Sequence, residues 1–118
     1  MKAAVLYGNR DLRYDDWETP VCRPGCVKVH VRATGICGSD VPRVLHNGAH
    51  FYPIVLGHEF SGDVVEVGEG VTSIQVGDTI SGAPLLPCMK CRDCMQGKYS
   101  LGKNYSFIGS SEQGSFAE

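Results

Sequence analysis

The chain has 118 residues, room for one domain and one core, and its 42% hydrophobic and 20% charged residues make an ordinary globular composition. A formal net charge of −2, from 11 basic and 13 acidic residues with no long like-charge run, excludes a dominant electrostatic role in binding nucleic acid or an anionic membrane. No apolar run approaches a bilayer span, and MKAAVLYGNRDLRY turns polar too soon for a secretion signal, so a cytoplasmic protein with reduced thiols is expected.

In chain order, Ala3–Tyr7 reads as a first strand and Leu12–Trp17 as a second, stopped by Pro20. Val27–Ala33 alternates with period two, the mark of a half-buried strand. A short helix is expected from Ser39 to about Leu45, with Ser39 as N-cap and Pro42 in the first turn. Phe60–Val67 is rich in β-branched residues, and Gly68-Glu69-Gly70 closes it with a turn. Val76–Ser81 restarts a strand behind Gly77-Asp78. Short strands at this spacing predict a mainly β fold, a barrel or sandwich. From Pro84 to Asn104 there is little apolar periodicity, and a loop so long needs something to organise it. The chain stops at Gly114-Ser115-Phe116-Ala117-Glu118, which reads as a strand beginning without neighbours. A truncated domain over residues 1–118 is therefore expected, with an open edge that invites pairing with a second copy and a homo-oligomer.

Two groups of residues carry metal chemistry. Cys88, Cys91 and Cys94 are spaced by two residues each, which lets neighbouring thiolates turn toward one ion. They sit among Lys90, Arg92, Asp93, Gln96 and Lys98, a polar setting at odds with cysteines buried as small hydrophobes. The second group is split between Gly-Ile-Cys37-Gly-Ser39-Asp40 and Gly57-His58-Glu59. Cysteine, histidine and glutamate together offer soft, borderline and hard donors and leave room for water or substrate. Taken singly, Cys37 and His58 are as readily explained by core packing.

GICGSD, then PIVLGHEFSG-x-VV-x-VG, then VGD, then PCxxCxxC, in this order, resembles the N-terminal GroES-like catalytic domain of the zinc-dependent medium-chain alcohol and polyol dehydrogenases. The resemblance implies a GroES-like, partly open barrel with short helices and a long cysteine-rich loop. It implies zinc held by Cys37, His58 and Glu59, with a further ligand of the family lying beyond Glu118. It makes Ser39 the acceptor of the substrate's proton and Asp40 the carboxylate that orients His58. The substrate is then a small polyol or polyol phosphate. Its hydroxyl is polarised at zinc and its hydride passes to a nicotinamide. Relatives place a proton-relay histidine shortly after the Ser-Asp pair. Val41, Pro42 and Arg43 stand there instead, with His46 and His50 further on.

The resemblance also gives the cysteine loop a fourth cysteine eight residues after the third, where this chain has Gly102. Water, a nearby carboxylate or a second copy's thiolate is left to complete that structural zinc site, and an empty or partly filled loop is expected. Gly68-Glu69-Gly70 is the nearest approach to a Gly-x-Gly-x-x-Gly turn, but no helix pattern follows it. NAD(P) is thus expected only in a full-length enzyme, and this piece is expected to be inactive alone. The competing readings are a non-catalytic zinc module, which lacks a second CxxC, and a GroES-like structural subunit, which has no use for GICGSD or GHE.

Overall fold

Val5 and Leu6 point to opposite faces of the first strand, and both are fully buried. The reason lies in what flanks that strand in the computed structural model, which describes Met1–Glu118 throughout. β1 (Lys2–Gly8) pairs antiparallel with β2 (Asp11–Asp16) on one edge. On its other edge it pairs with a two-residue strand, β4 (Ile54–Val55), through Val5 with Val55 and Leu6 with Ile54. Ala3, Val5 and Val55 form one apolar cluster; Leu6, Ile54 and Leu56 form the other. Phe116 packs against both.

Phe116 corrects the expectation of an open edge at the chain's end. Ala117 bridges antiparallel to Ala3, the Ala4 N–H donates to the Phe116 carbonyl at 2.8 Å, and the Glu118 N–H donates to the Lys2 carbonyl at 3.1 Å. On its other side the Phe116 N–H donates to the Leu56 carbonyl at 3.0 Å. The segment has neighbours because β1 and the apolar run Ile54–Leu56 supply them, so the argument for self-association from an unpaired edge falls away.

The second sheet has the order β3 (Val27–Gly35), β5 (Glu59–Val67), β6 (Thr79–Ser81), all antiparallel. The alternation expected of β3 holds only in its middle: Val29 and Val31 are half-buried and His30 and Arg32 exposed, whereas Lys28 is half-buried beside Val27 and Ala33 is exposed, next to the register shifts at Lys28/Val29 and Val31/Ala33. β6 is shorter than the sequence suggests. Val76–Asp78 is spent on a turn in which Gly77 takes φ of +96°, the Asp78 carboxylate accepts from the Gln75 N–H at 2.9 Å, and the Gly77 N–H donates to the Val64 carbonyl at 2.9 Å.

The expected helix is present but changes type along its length. α1 (Asp40–Pro42) is one turn and widens at once into a π turn, Arg43–Asn47. Ser39 stands at the N-cap position but with helical angles, φ −80° and ψ −20°, and its hydroxyl makes no capping bond. Pro42 does fall in the first turn, where a missing N–H costs nothing.

The long loop contains structure of its own: β7 (Leu85–Leu86), α2 (Arg92–Met95), a 3-10 turn at Tyr99–Leu101, and β8 (Ser106–Phe107), which pairs with β7. The three sheets do not close into one cylinder. An apolar groove of about 510 Å³ runs between β1–β2 and β3, lined by Ala4, Leu12, Val31, Ala33 and Ile36 among others. The fold is the partly open barrel with short helices that the sequence predicts.

Candidate metal centre

The register of β3 on β5 builds the first cluster. Gly35, the last residue of β3, lies opposite Glu59, the first of β5. The turn leaving β3 carries Cys37, and the residue before β5 is His58, so two strand ends deliver three donors to one place. One ligand atom from each of Cys37, His58 and Glu59 lies within 4.8 Å of the others. Gly35 is needed for this. A Cβ there would collide with the Glu59 carboxylate, which folds across it. The Thr34 hydroxyl donates to the Glu59 carbonyl at 2.9 Å and holds the pairing at its end.

His58 is aimed by the backbone before it. Gly57 takes φ of +93°, and a Cβ on it would lie 2.5 Å from the Phe116 ring and 2.8 Å from the Ser115 hydroxyl. Both the conformation and the space demand glycine. The Ser115 N–H donates to the Gly57 carbonyl at 3.0 Å, so the C-terminal segment fixes the peptide that presents the imidazole. The Phe107 ring meets His58 edge-on, with centroids 5.6 Å apart.

Behind the imidazole stands Asp40, 2% exposed. One carboxylate oxygen accepts from the Cys37 N–H at 3.1 Å and shapes that turn. The other, Oδ1, lies 3.6 Å from the Nδ1 of His58, and both atoms are buried without a closer partner. That pair is the clearest sign of a bound ion's requirements. With Nδ1 turned to a carboxylate, Nε2 is left to face the other donors, the arrangement that fixes the tautomer of a ligating histidine. A buried carboxylate and imidazole so placed, next to a thiol and a second carboxylate, fit zinc by donor type.

Ser39 is exposed, two residues from Cys37, and its side chain makes no hydrogen bond within the chain. His46 and His50 are both exposed and lie outside the donor group. The sequence reading missed Thr34, Ser115 and Phe107. Nothing marks them locally, because each acts across strands on a partner far along the chain.

The second cluster also forms. One sulfur from each of Cys88, Cys91 and Cys94 lies within 4.8 Å of the others, and the Cys88 and Cys94 sulfurs are 3.9 Å apart. α2 organises it. Cys91 is the N-cap of α2, its sulfur accepting from the Cys94 N–H at 3.5 Å. That backbone hydrogen bond, with further help from the Cys94 side chain, pulls the Cys91 thiol down to about 7. Burial pushes the Cys94 thiol up. Cys22 and Cys26 are free and stand apart from both groups.

The fold is thus an open antiparallel barrel bearing a Cys–His–Glu group and a separate three-cysteine loop. The model for the alcohol dehydrogenase GroES-like domain matches residues 23–118, and the chain belongs to that family. It is 52% identical, over 92 residues, to galactitol 1-phosphate 5-dehydrogenase of Escherichia coli K12, a match covering 78% of this chain and 27% of that protein. The crystal structure of galactitol-1-phosphate dehydrogenase from Escherichia coli superposes with a TM-score of 0.90 at 44% identity, covering 100% of this chain and 34% of that one. A sorbitol dehydrogenase of Halalkalibacterium halodurans is 39% identical over 121 residues, spanning 100% of this chain and 35% of that protein. The chain thus spans about a quarter to a third of the length of the relatives it matches.

Proposed function

We propose that this chain is the catalytic domain, residues 1–118, of a zinc-dependent polyol dehydrogenase that oxidises a secondary alcohol of a sugar alcohol or its phosphate to a ketone with NAD(P). The observation that carries the reading is the convergence of Cys37, His58 and Glu59 with Asp40 set behind the imidazole. Zinc bound by these three would supply Lewis acidity to a substrate hydroxyl. Asp40 holds the His58 ring with Nδ1 toward itself. Ser39, whose hydroxyl is otherwise unengaged, takes the substrate's proton. The nicotinamide belongs to the part of the relatives that this chain does not span, since no strand–Gly-x-Gly-x-x-Gly–helix unit is present. Alone, the chain does not transfer hydride. Its reduced thiols suit a cytoplasmic setting.

Two measurements test this reading. Zinc per chain is determined on protein purified without added metal; His58→Ala should lose an equivalent that Cys94→Ser keeps. A chimera joining residues 1–118 to the remaining length of the Escherichia coli galactitol 1-phosphate enzyme should reduce NAD with a polyol or polyol phosphate. Ser39→Ala should slow it by roughly 10²–10⁴-fold, the usual contribution of a positioned proton acceptor. A chimera that is folded, zinc-loaded and inert would sink the proposal.

A further inference from the structure

The imidazole of His58 meets two turns that lie far apart in sequence, and one side chain ties those turns together. The first turn carries Asp40, whose carboxylate faces Nδ1 at 3.6 Å. The second begins at Phe107, whose ring meets the imidazole edge-on and whose carbonyl accepts from the N–H groups of Ser110, Ser111 and Glu112 at 3.1–3.2 Å. Gly109, inside that second turn, is buried with φ of +70°, and a Cβ on it would lie 2.3 Å from the Gly57 carbonyl oxygen and 2.9 Å from the Gly57 nitrogen. The turn therefore lies directly on the residue that presents His58.

Arg43 stands three residues after Asp40, where the helix passes into its π turn. Its guanidinium donates to the Gly109 carbonyl at 2.9 Å and to the Ser110 hydroxyl at 3.2 Å. Arg43 is half-buried and enters no ion pair with a carboxylate. Two donors of one planar fork are thus spent on a single turn, and a fork held at two points fixes direction as well as distance. The Asp40–His58 separation lies just beyond hydrogen-bond reach, so a small displacement of either turn decides whether the imidazole is held.

We propose that Arg43 is a positioning residue for the Cys37–His58–Glu59 group. By bracing the helix that carries Asp40 against the Phe107–Ser110 turn, it sets the approach of the Asp40 carboxylate to Nδ1 and so aims Nε2 at the other donors. Its hydrogen bonds go to Gly109 and Ser110 and to none of the donors, so it acts only through Asp40 and Gly57. The inference rests on reading that group as a zinc site, and the experiment separates the two.

Arg43→Met keeps the apolar stem and loses the fork. Arg10→Met is its control: it loses a bond of the same kind, from Nε to the Leu45 carbonyl at 3.2 Å, on the same π turn but without a link to the Phe107–Ser110 turn. Both are made in a Cys94→Ser parent, and zinc affinity is read by competition with a chelator. Arg43→Met should bind zinc about tenfold more weakly, the low end of the loss on removing an outer partner of a metal ligand, and Arg10→Met should match the parent. In the metal-free proteins at one alkaline pH, the ¹⁵N shifts of the His58 ring should show a single tautomer in the parent and in Arg10→Met, and a mixture in Arg43→Met. Unchanged His58 shifts in Arg43→Met overturn the proposal whatever the affinity does. Equal changes in Arg10→Met also overturn it, because Arg43 then only holds the helix in place. A parent that binds no zinc at this site sinks the metal reading alone, and the His58 shifts still decide the role of Arg43. Should Arg43→Met not fold, Arg43→Lys, which keeps the charge without the fork, should show the same change of shifts in smaller measure.

Discussion

At the scale of single residues, the candidate donors were legible and their supports were not. Cysteine, histidine and glutamate announce themselves as donors by type, so Cys37, His58 and Glu59 were picked out on the residues and the family motif together, and the fold brings them to one place. Asp40 was placed behind His58 by resemblance alone. The structure adds that the same carboxylate also holds the Cys37 N–H, so one residue braces two of the three donors. Asp40→Asn keeps an acceptor for that N–H but removes the charge facing Nδ1. Zinc affinity should fall by about 10–100-fold, read by competition with a chelator, while the unfolding midpoint of the metal-free chain stays nearly unchanged. Thr34 and Ser115 could not have been found this way. Their hydroxyls, 2.9 Å apart, join segments 81 positions apart in sequence, and a lone hydroxyl carries no sign of its partner.

Among the elements, the strands with a clear period were read correctly to within two residues at each end, as β1, β2, β3 and β5 show. β4, β7 and β8 are two residues long, and two residues have no period to detect. The helix after Cys37 was read over the right residues, but nothing in its sequence marks the change from α to π turns at Arg43. Arg43 is drawn aside to the Gly109 carbonyl at 2.9 Å and the Ser110 hydroxyl at 3.2 Å. In the second sheet, Asp63 ties three strands together, accepting from Arg32 at 2.7 Å on β3 and from Thr79 at 2.9 Å on β6. Those two hydrogen bonds, Arg32 first, hold its carboxyl below the usual carboxylate range. A carboxyl lowered in the folded state contributes stability above its unfolded value, and that contribution is lost as the pH falls through the lowered folded value. Asp63→Asn should therefore lower the melting temperature at neutral pH and flatten its decline below about pH 5. An unchanged acid-side slope would remove Asp63 from the account.

At the scale of the whole molecule, the barrel predicted from short strands and motif order is present, yet its core is small: only 16 of 118 residues are buried. Much of the cohesion therefore rests on a few side chains shared between clusters, and Phe116 is foremost among them. Phe116→Ala should cost about 2–3 kcal/mol in a denaturant titration, below the 3–5 of a fully enclosed phenylalanine because the ring is only partly covered. The sequence reading placed a strand at Phe116 but denied it neighbours, because pairing with β1 joins segments more than 110 residues apart and no local pattern encodes it. The same contact sets the order in which the protein can assemble. Lys2 and Glu118 meet 116 positions apart, so β1 waits for a segment far along the chain before its sheet is complete. Contacts of such separation fold slowly, since the intervening chain must be closed into a loop before they form. The hairpin of β1 and β2 can form early, but the seam that positions Gly57, and with it His58, closes only after synthesis has passed residue 117. The Cys37–His58–Glu59 group is therefore assembled by the completed fold rather than being a nucleus for it.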